Sequence, residues 1–463
     1  MTHTAPHRTR TRRLASLGLA LPLLALAACG SGDAEEPAAG ASGTPAEEEA
    51  SAPTEAATYT PRIAVTYDGG IQVLDAGSLE VVDDFALEGF NRLNAVGDGR
   101  HLLVSTTGGF QLLDGGAWAE PHGDHSHYYT ADPELTDVVF EATKPGHVVR
   151  HDGRTALFDD GTGHVTVFDA VDVADPERET REHTTAEAHH GVAVELSDGS
   201  LVVSEGTEEA RTGIRVLDAD GEEIAASDEC PGVHGEAMAA DEAVLIGCED
   251  GVLIYSGGTI TKVDSPDDYG RIGNQAGSEE STVVLGDYKS DPDAELERPT
   301  RVSLTDTATG KLTLVDLPSS YTFRSLARGE DGEALVLGTD GQIHVIDPKS
   351  GELEKSIPVI DEWTEPMEWQ EPRPAIFTLD GSAYVTDPAN QAIHAVDIES
   401  GEVWNTAELD VAPNEISGIS GNVEAGSAEH GGSDEHEGHD HSEEGHEHSE
   451  DEHDHSEEEA ASH

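Results

Sequence analysis

The chain has 463 residues, 95 of them Asp or Glu against 25 Lys or Arg, and a formal net charge of −70. Such a surface repels nucleic acid and anionic lipid headgroups and attracts cations, so neither nucleic acid nor an electrostatically held membrane is expected as a partner.

Residues 1–28 read as a lipoprotein signal peptide. Arg8, Arg10, Arg12 and Arg13 form a basic start, and Leu14 to Ala28 an apolar stretch too short for a permanent membrane span. It ends in Leu26-Ala-Ala-Cys-Gly30, a lipobox-like sequence in which Cys29 would be acylated and become the new N-terminus. The chain is therefore expected to be exported and lipid-anchored to the outer face of the cell membrane. Residues 29–60 are rich in Ala, Glu, Pro, Gly and Ser, a composition that cannot bury a core and predicts a disordered linker.

From 61 to 420 short apolar runs are divided by turn signals. Asp-Gly pairs begin at 68, 98, 114, 152, 160, 198, 220, 250, 331, 340 and 380, and Asp-Gly suits the type I′ turn of a β-hairpin. No long stretch has helical period, so the region reads as all-β. Gly341–Glu352 and Gln391–Glu402 are copies of one unit, and Gly70–Asp75 and Arg215–Asp218 are shorter ones. Innermost strands placed before these units start near Arg92, His147, His190, His234, Arg271, Arg324, Arg373 and Asn414. The intervals are those of four-stranded blades, which predicts a β-propeller of eight blades, with seven as the alternative. Strands in 62–86 would complete the last blade and close the ring.

Three groups of histidines stand apart from those inside strand runs (His101, His164, His344 and His394), which read as structural. Pro121-His-Gly-Asp-His-Ser-His127 lies in the longest interval between blade starts. As an inserted loop on one rim, it would offer His122, Asp124, His125 and His127 as metal ligands. His147, His190 and His234 stand near equivalent blade starts and so would converge on one mouth of the axial channel, with His189 beside them. The third group is the tail, residues 421–463. From His430 to His463 it holds nine His and fourteen carboxylates with no Lys or Arg. His439-Asp-His441, His446-Glu-His448 and His453-Asp-His455, with His436, offer imidazole and carboxylate ligands suited to zinc, copper or nickel. Without apolar residues, the tail is expected to be disordered until metal binds.

With Cys29 acylated, Cys230 and Cys248 remain as a pair. In an oxidising compartment a disulfide is expected, the competing arrangement being a zinc site of Cys230, His234 and Cys248.

His122-Gly-Asp-His-Ser-His127, Pro145-Gly-His-Val-Val-Arg-His-Asp-Gly153, His189-His-Gly-Val-Ala193 and Cys230-Pro-Gly-Val-His-Gly-Glu236, in this order, resemble the zinc metallochaperone AztD family, with the intervening blades covering most of 61–420. The resemblance implies an exported propeller that binds Zn2+ and delivers it to the solute-binding protein of a zinc ABC transporter. The lipobox and the C-terminal His/acid run depart from that pattern. The chain is therefore not expected to be an enzyme. Alternatives are a metal-dependent propeller hydrolase, against which no Gly-x-Ser-x-Gly elbow is present, and a surface-recognition propeller with a zinc-buffering tail.

Overall fold

The computed structural model describes residues 52–424. The signal peptide, Cys29 and the tail histidines His436, His439, His441, His446, His448, His453 and His455 lie outside the described residues.

The strands are almost all antiparallel and mostly four to seven residues long; in the described residues they form seven four-stranded sheets, one five-stranded sheet and one three-stranded sheet. Their middle strands are buried on both faces, as in Leu102-Leu-Val104 and Val244-Leu-Ile246. Side chains pointing to the two faces therefore meet two neighbouring sheets. This makes eight apolar clusters, each shared by successive sheets. Leu103 and Phe110 pack with Leu157 and Phe168, Val202 and Val216 with Ile246 and Leu253, and Leu335 and Leu337 with Val385 and Val396. The last cluster, with Ile63 and Leu74 against Tyr384 and Ile393, joins the eighth sheet to the first. The sheets thus form a closed ring, a β-propeller.

Closure is made as the sequence suggests. Ile416–Ile419 pairs with Arg62–Tyr67, so the C-terminal strand is the innermost strand of a sheet otherwise built from the N-terminal end. The other innermost strands are Arg92–Ala95, Pro145–His151, Ala193–Glu195, Glu236–Ala239, Gln275–Ala276, Leu326–Arg328 and Ile376–Leu379. Arg271 does not begin one: Gly270–Arg271 adds in parallel to the preceding sheet, and the sixth inner strand starts at Gln275. Both turn residues have positive φ only at Asp152-Gly153 and Asp380-Gly381 among the Asp-Gly pairs, so most of these turns are not of type I′.

Three expectations need correction. The segment His122–His127 is not a loop but part of a hairpin, Ala117–His122 with Asp124 in the turn and His125–Thr130 returning. The linker does not extend to 60 without structure, because Thr54–Ala56 pairs with the open edge of that hairpin. Unpaired backbone groups on an edge strand accept any extended polar segment in this way. Beyond 420, ordered contacts continue: Gly421 N–H donates to the Gly99 carbonyl, and Arg150 pairs with Glu424 at 2.8 Å.

Candidate metal centres

His147 is the third residue of the inner strand of the third sheet, His190 stands three residues before that of the fourth, and His234 two before that of the fifth. Equivalent positions in consecutive blades bring the rings together, with centroids 5.1 Å (His147–His190), 5.1 Å (His190–His234) and 5.9 Å (His147–His234) apart. One ligand atom from each lies within 4.8 Å of the other two.

Each ring has a polar partner beside Nδ1. His234 Nδ1–H donates to the Gly273 carbonyl at 2.5 Å. His190 Nδ1 is 2.5 Å from Asp160 Oδ2, and His147 Nδ1 is 3.0 Å from Glu236 Oε2. The Gly273 carbonyl and the Asp160 carboxylate place the protons of His234 and His190 on Nδ1 and leave their Nε2 lone pairs for coordination, the usual outer arrangement of metal-binding imidazoles, whereas Glu236 approaches His147 Nδ1 as an ion-pair contact without a hydrogen bond. Burial, then the neighbouring His147 ring, pushes His234 well below its ordinary 6.5, against the Gly273 carbonyl. His234 is therefore held neutral, the form that binds metal.

The backbone around His234 is pinned. Its N–H donates to the Gly247 carbonyl at 3.0 Å, and Cys230 and Cys248 on either side are joined by a disulfide, with Cα atoms 5.0 Å apart. Both cysteines are buried. The alternative Cys230–His234–Cys248 zinc site is excluded by this bond.

The hairpin carries the second group. His122 and His125 are directly opposite across the strands, and His127, two residues on, shares their face. Ring centroids are 5.1 to 5.7 Å apart, and the three again offer ligand atoms within 4.8 Å. His122 and His125 are exposed, and His127 Nδ1 is 2.9 Å from Glu55 Oε1 on the added strand. Trp118 stacks on Tyr129 and lies under Arg100, which ties the hairpin to the second sheet.

Two expected ligands are not brought in. Asp124 sits in the hairpin turn with its side chain fully in solvent, 3.3 Å from His125 Nδ1 and outside the triad. His189 points into the core against Phe158; Nδ1–H donates to the Glu187 carbonyl at 2.9 Å and Nε2 pairs with the Ser204 hydroxyl at 2.8 Å. Neither ring nitrogen is left for a metal. Conversely, Asp160 and Glu55 were not singled out from sequence: Asp160 reads as a turn residue before Gly161, and Glu55 as one more linker acid. Glu236 was present in the motif with His234, and its spacing of two from that histidine was the available signal.

Fold and sites define a propeller with two histidine triads, one at a channel mouth and one on a rim hairpin. Its sequence is 27% identical over 332 residues to the zinc chaperone AztD of Citrobacter koseri, spanning 70% of this chain and 76% of that protein. The crystal structure of Citrobacter koseri AztD superposes with a TM-score of 0.69 at 24% identity, covering 78% of this chain and 98% of that one. The apo form of the same protein gives 0.67 at 23%, with the same coverage. Dihydro-heme d1 dehydrogenase NirN is similar in fold alone, with a TM-score of 0.51 at 13% identity over 78% of this chain and 75% of that one. No family model matches the chain. The resemblance to the AztD family read from the histidine motifs is borne out.

Proposed function

We propose that the chain is a zinc metallochaperone: it captures zinc, holds it at the His147–His190–His234 triad and surrenders it to a protein acceptor by ligand exchange. The observation that carries this reading is the convergence of the three rings, one ligand nitrogen of each lying within 4.8 Å of the others, with His190 and His234 oriented by acceptors at Nδ1. Such rings lose little freedom on binding, and three ligands leave a coordination position open for an incoming one. Similarity to a zinc chaperone supports zinc as the cargo rather than another borderline metal. The hairpin triad, exposed and backed by Glu55, is suited to collecting the ion and escorting it.

The remaining parts of the reading rest on sequence. Export and anchorage through Cys29 would put the chain beside a membrane transporter, whose solute-binding protein is the acceptor we infer. The tail, with nine histidines after residue 429, would act as a reservoir of loosely held zinc.

The test is zinc titration against a competing chelator, using protein ending at 424 so that tail sites do not mask the result. The ring closes by Ile419, so this truncation leaves every sheet intact. Replacing His147, His190 or His234 by Ala is expected to weaken the tightest site at least tenfold. Unchanged tight affinity in the triple variant, with an unaltered circular dichroism spectrum, refutes the triad as the holding site.

A further inference from the structure

The sheets that carry the channel-mouth triad meet again at the other end of the channel. His151 closes the inner strand that carries His147, about 13 Å further along. Ser197, Glu242 and Glu279 lie in the turns that follow the inner strands of the next three sheets.

Glu242 is fixed there. It and Asp241 adopt positive φ (52° and 61°), a conformation unfavourable for side-chain-bearing residues that needs local support. Ser197 supplies it, donating its N–H to Oε1 at 2.8 Å and its hydroxyl to Oε2 at 2.7 Å. His151 Nε2–H donates to the same Oε1 at 2.8 Å. This orients the imidazole as Asp160 orients His190 and leaves the opposite nitrogen, Nδ1, to face outward from the pair. The His151 side chain is 6% exposed and its Nδ1 makes no hydrogen bond. Glu279 Oε1 is 3.4 Å from it. Two ligands each ~2.1 Å from a tetrahedral zinc ion are ~3.4 Å apart, so this separation suits an ion held between them.

The pair shares a cavity with a residue that neighbours the first site. One cavity of about 490 Å³ is lined by His151 and Glu279 and also by Glu236, whose carboxylate touches His147.

We propose that His151 Nδ1 and Glu279 form a further divalent-cation site at the far end of the channel, with Glu242 and Ser197 as positioning residues. Two protein ligands leave the rest of the coordination sphere to water, so the site binds more loosely than the triad and serves as a second station for an ion in the channel. It goes beyond the chaperone reading and does not require the triad to bind.

The experiment is anomalous scattering at the zinc edge from crystals of the full chain grown with excess zinc chloride. We expect a peak within about 2.1 Å of both His151 Nδ1 and the Glu279 carboxylate. In Glu279→Gln, whose side chain is largely exposed, this peak should vanish while that at His147, His190 and His234 remains. Glu242→Gln should lower its occupancy. A triad peak without a far-end peak, or a far-end peak that survives Glu279→Gln, overturns the proposal and leaves His151 as an ion-pair partner of two carboxylates. A far-end peak without a triad peak would instead refute the triad and leave this site standing.

Discussion

Asp160 Oδ2 lies 2.5 Å from Nδ1 of His190, joining the end of the third sheet's second strand to the residue that leads into the fourth sheet. The contact determines which nitrogen of His190 can bind metal, and the negative charge strengthens that nitrogen as a ligand. Asp160→Asn keeps the size of the side chain and removes the charge. Zinc affinity of the channel-mouth site should fall by about 10- to 100-fold, the usual effect of losing such a partner. Chelator competition measures it, and wild-type affinity in the variant would show the carboxylate to be a spectator.

The disulfide should matter for both stability and the site. Cys230 and Cys248 close a loop with a separation of 18 residues, worth about 3 kcal/mol in the chain-entropy account. The loop contains His234, and Gly247, which holds the His234 backbone, adjoins Cys248. Replacing both cysteines by Ser should lower the denaturation midpoint and weaken the channel-mouth site. Urea unfolding and zinc competition on the same sample check both effects. Lower stability with unchanged affinity would mean that the strands alone fix His234.

The two triads should respond differently to mutation. His122, His125 and His127 project from a hairpin at the rim, and Glu55 on a separate short strand backs one of them. Replacing all three by Ala should slow zinc loading from a weak chelator while changing the tightest equilibrium affinity less than threefold. Stopped-flow loading and equilibrium competition separate the two. A tenfold or greater loss of equilibrium affinity would make the hairpin the holding site.

Much of this was legible in sequence, and the parts that were not share a cause. Blade starts could be aligned because each follows at a similar interval, and His147, His190 and His234 all stand near the start of an inner strand in three consecutive repeats, so their convergence followed from the repeat. His189 has the same proximity in sequence as His190 but turns the other way, since adjacent residues in extended chain point to opposite sides. The partners Asp160 and Glu55 are 30 and 72 residues from the histidines they touch. Such pairings arise from packing of one sheet on the next and leave no local pattern. The hairpin was hidden for another reason: a run of His, Gly, Asp and Ser reads as a loop, while the strands it completes are anchored by Trp118 and Tyr129 stacking.

Acid should destabilise the metal-free protein well above the carboxylate range. Burial is the main cause holding His183, His234 and His394 below the ordinary 6.5. In the unfolded chain each takes up a proton near 6.5; in the folded protein it resists doing so. The unfolded state therefore binds more protons as pH falls below about 6.5, and folded stability drops until the folded sites themselves protonate. The carboxylates with lowered values, such as Asp114 and Asp159, lose their contribution only below about 4, so between 6.5 and 4.5 the histidines lead the loss, opposed by Glu365 and Asp380, which burial raises. His151 has the opposite sign. Burial opposes its charge, but Glu279 and Glu242 outweigh burial and raise it, so its contribution is complete below 6.5 and declines as pH rises past its folded value. Thermal melts in the presence of a chelator should therefore show the transition temperature falling from pH 6.5 to 4.5. His394→Gln, remote from both triads and bonded in the wild type to the Thr406 hydroxyl at 3.0 Å, should make that fall shallower without changing zinc affinity. A pH profile identical to wild type in this variant would show that His394 gives up no stability on charging.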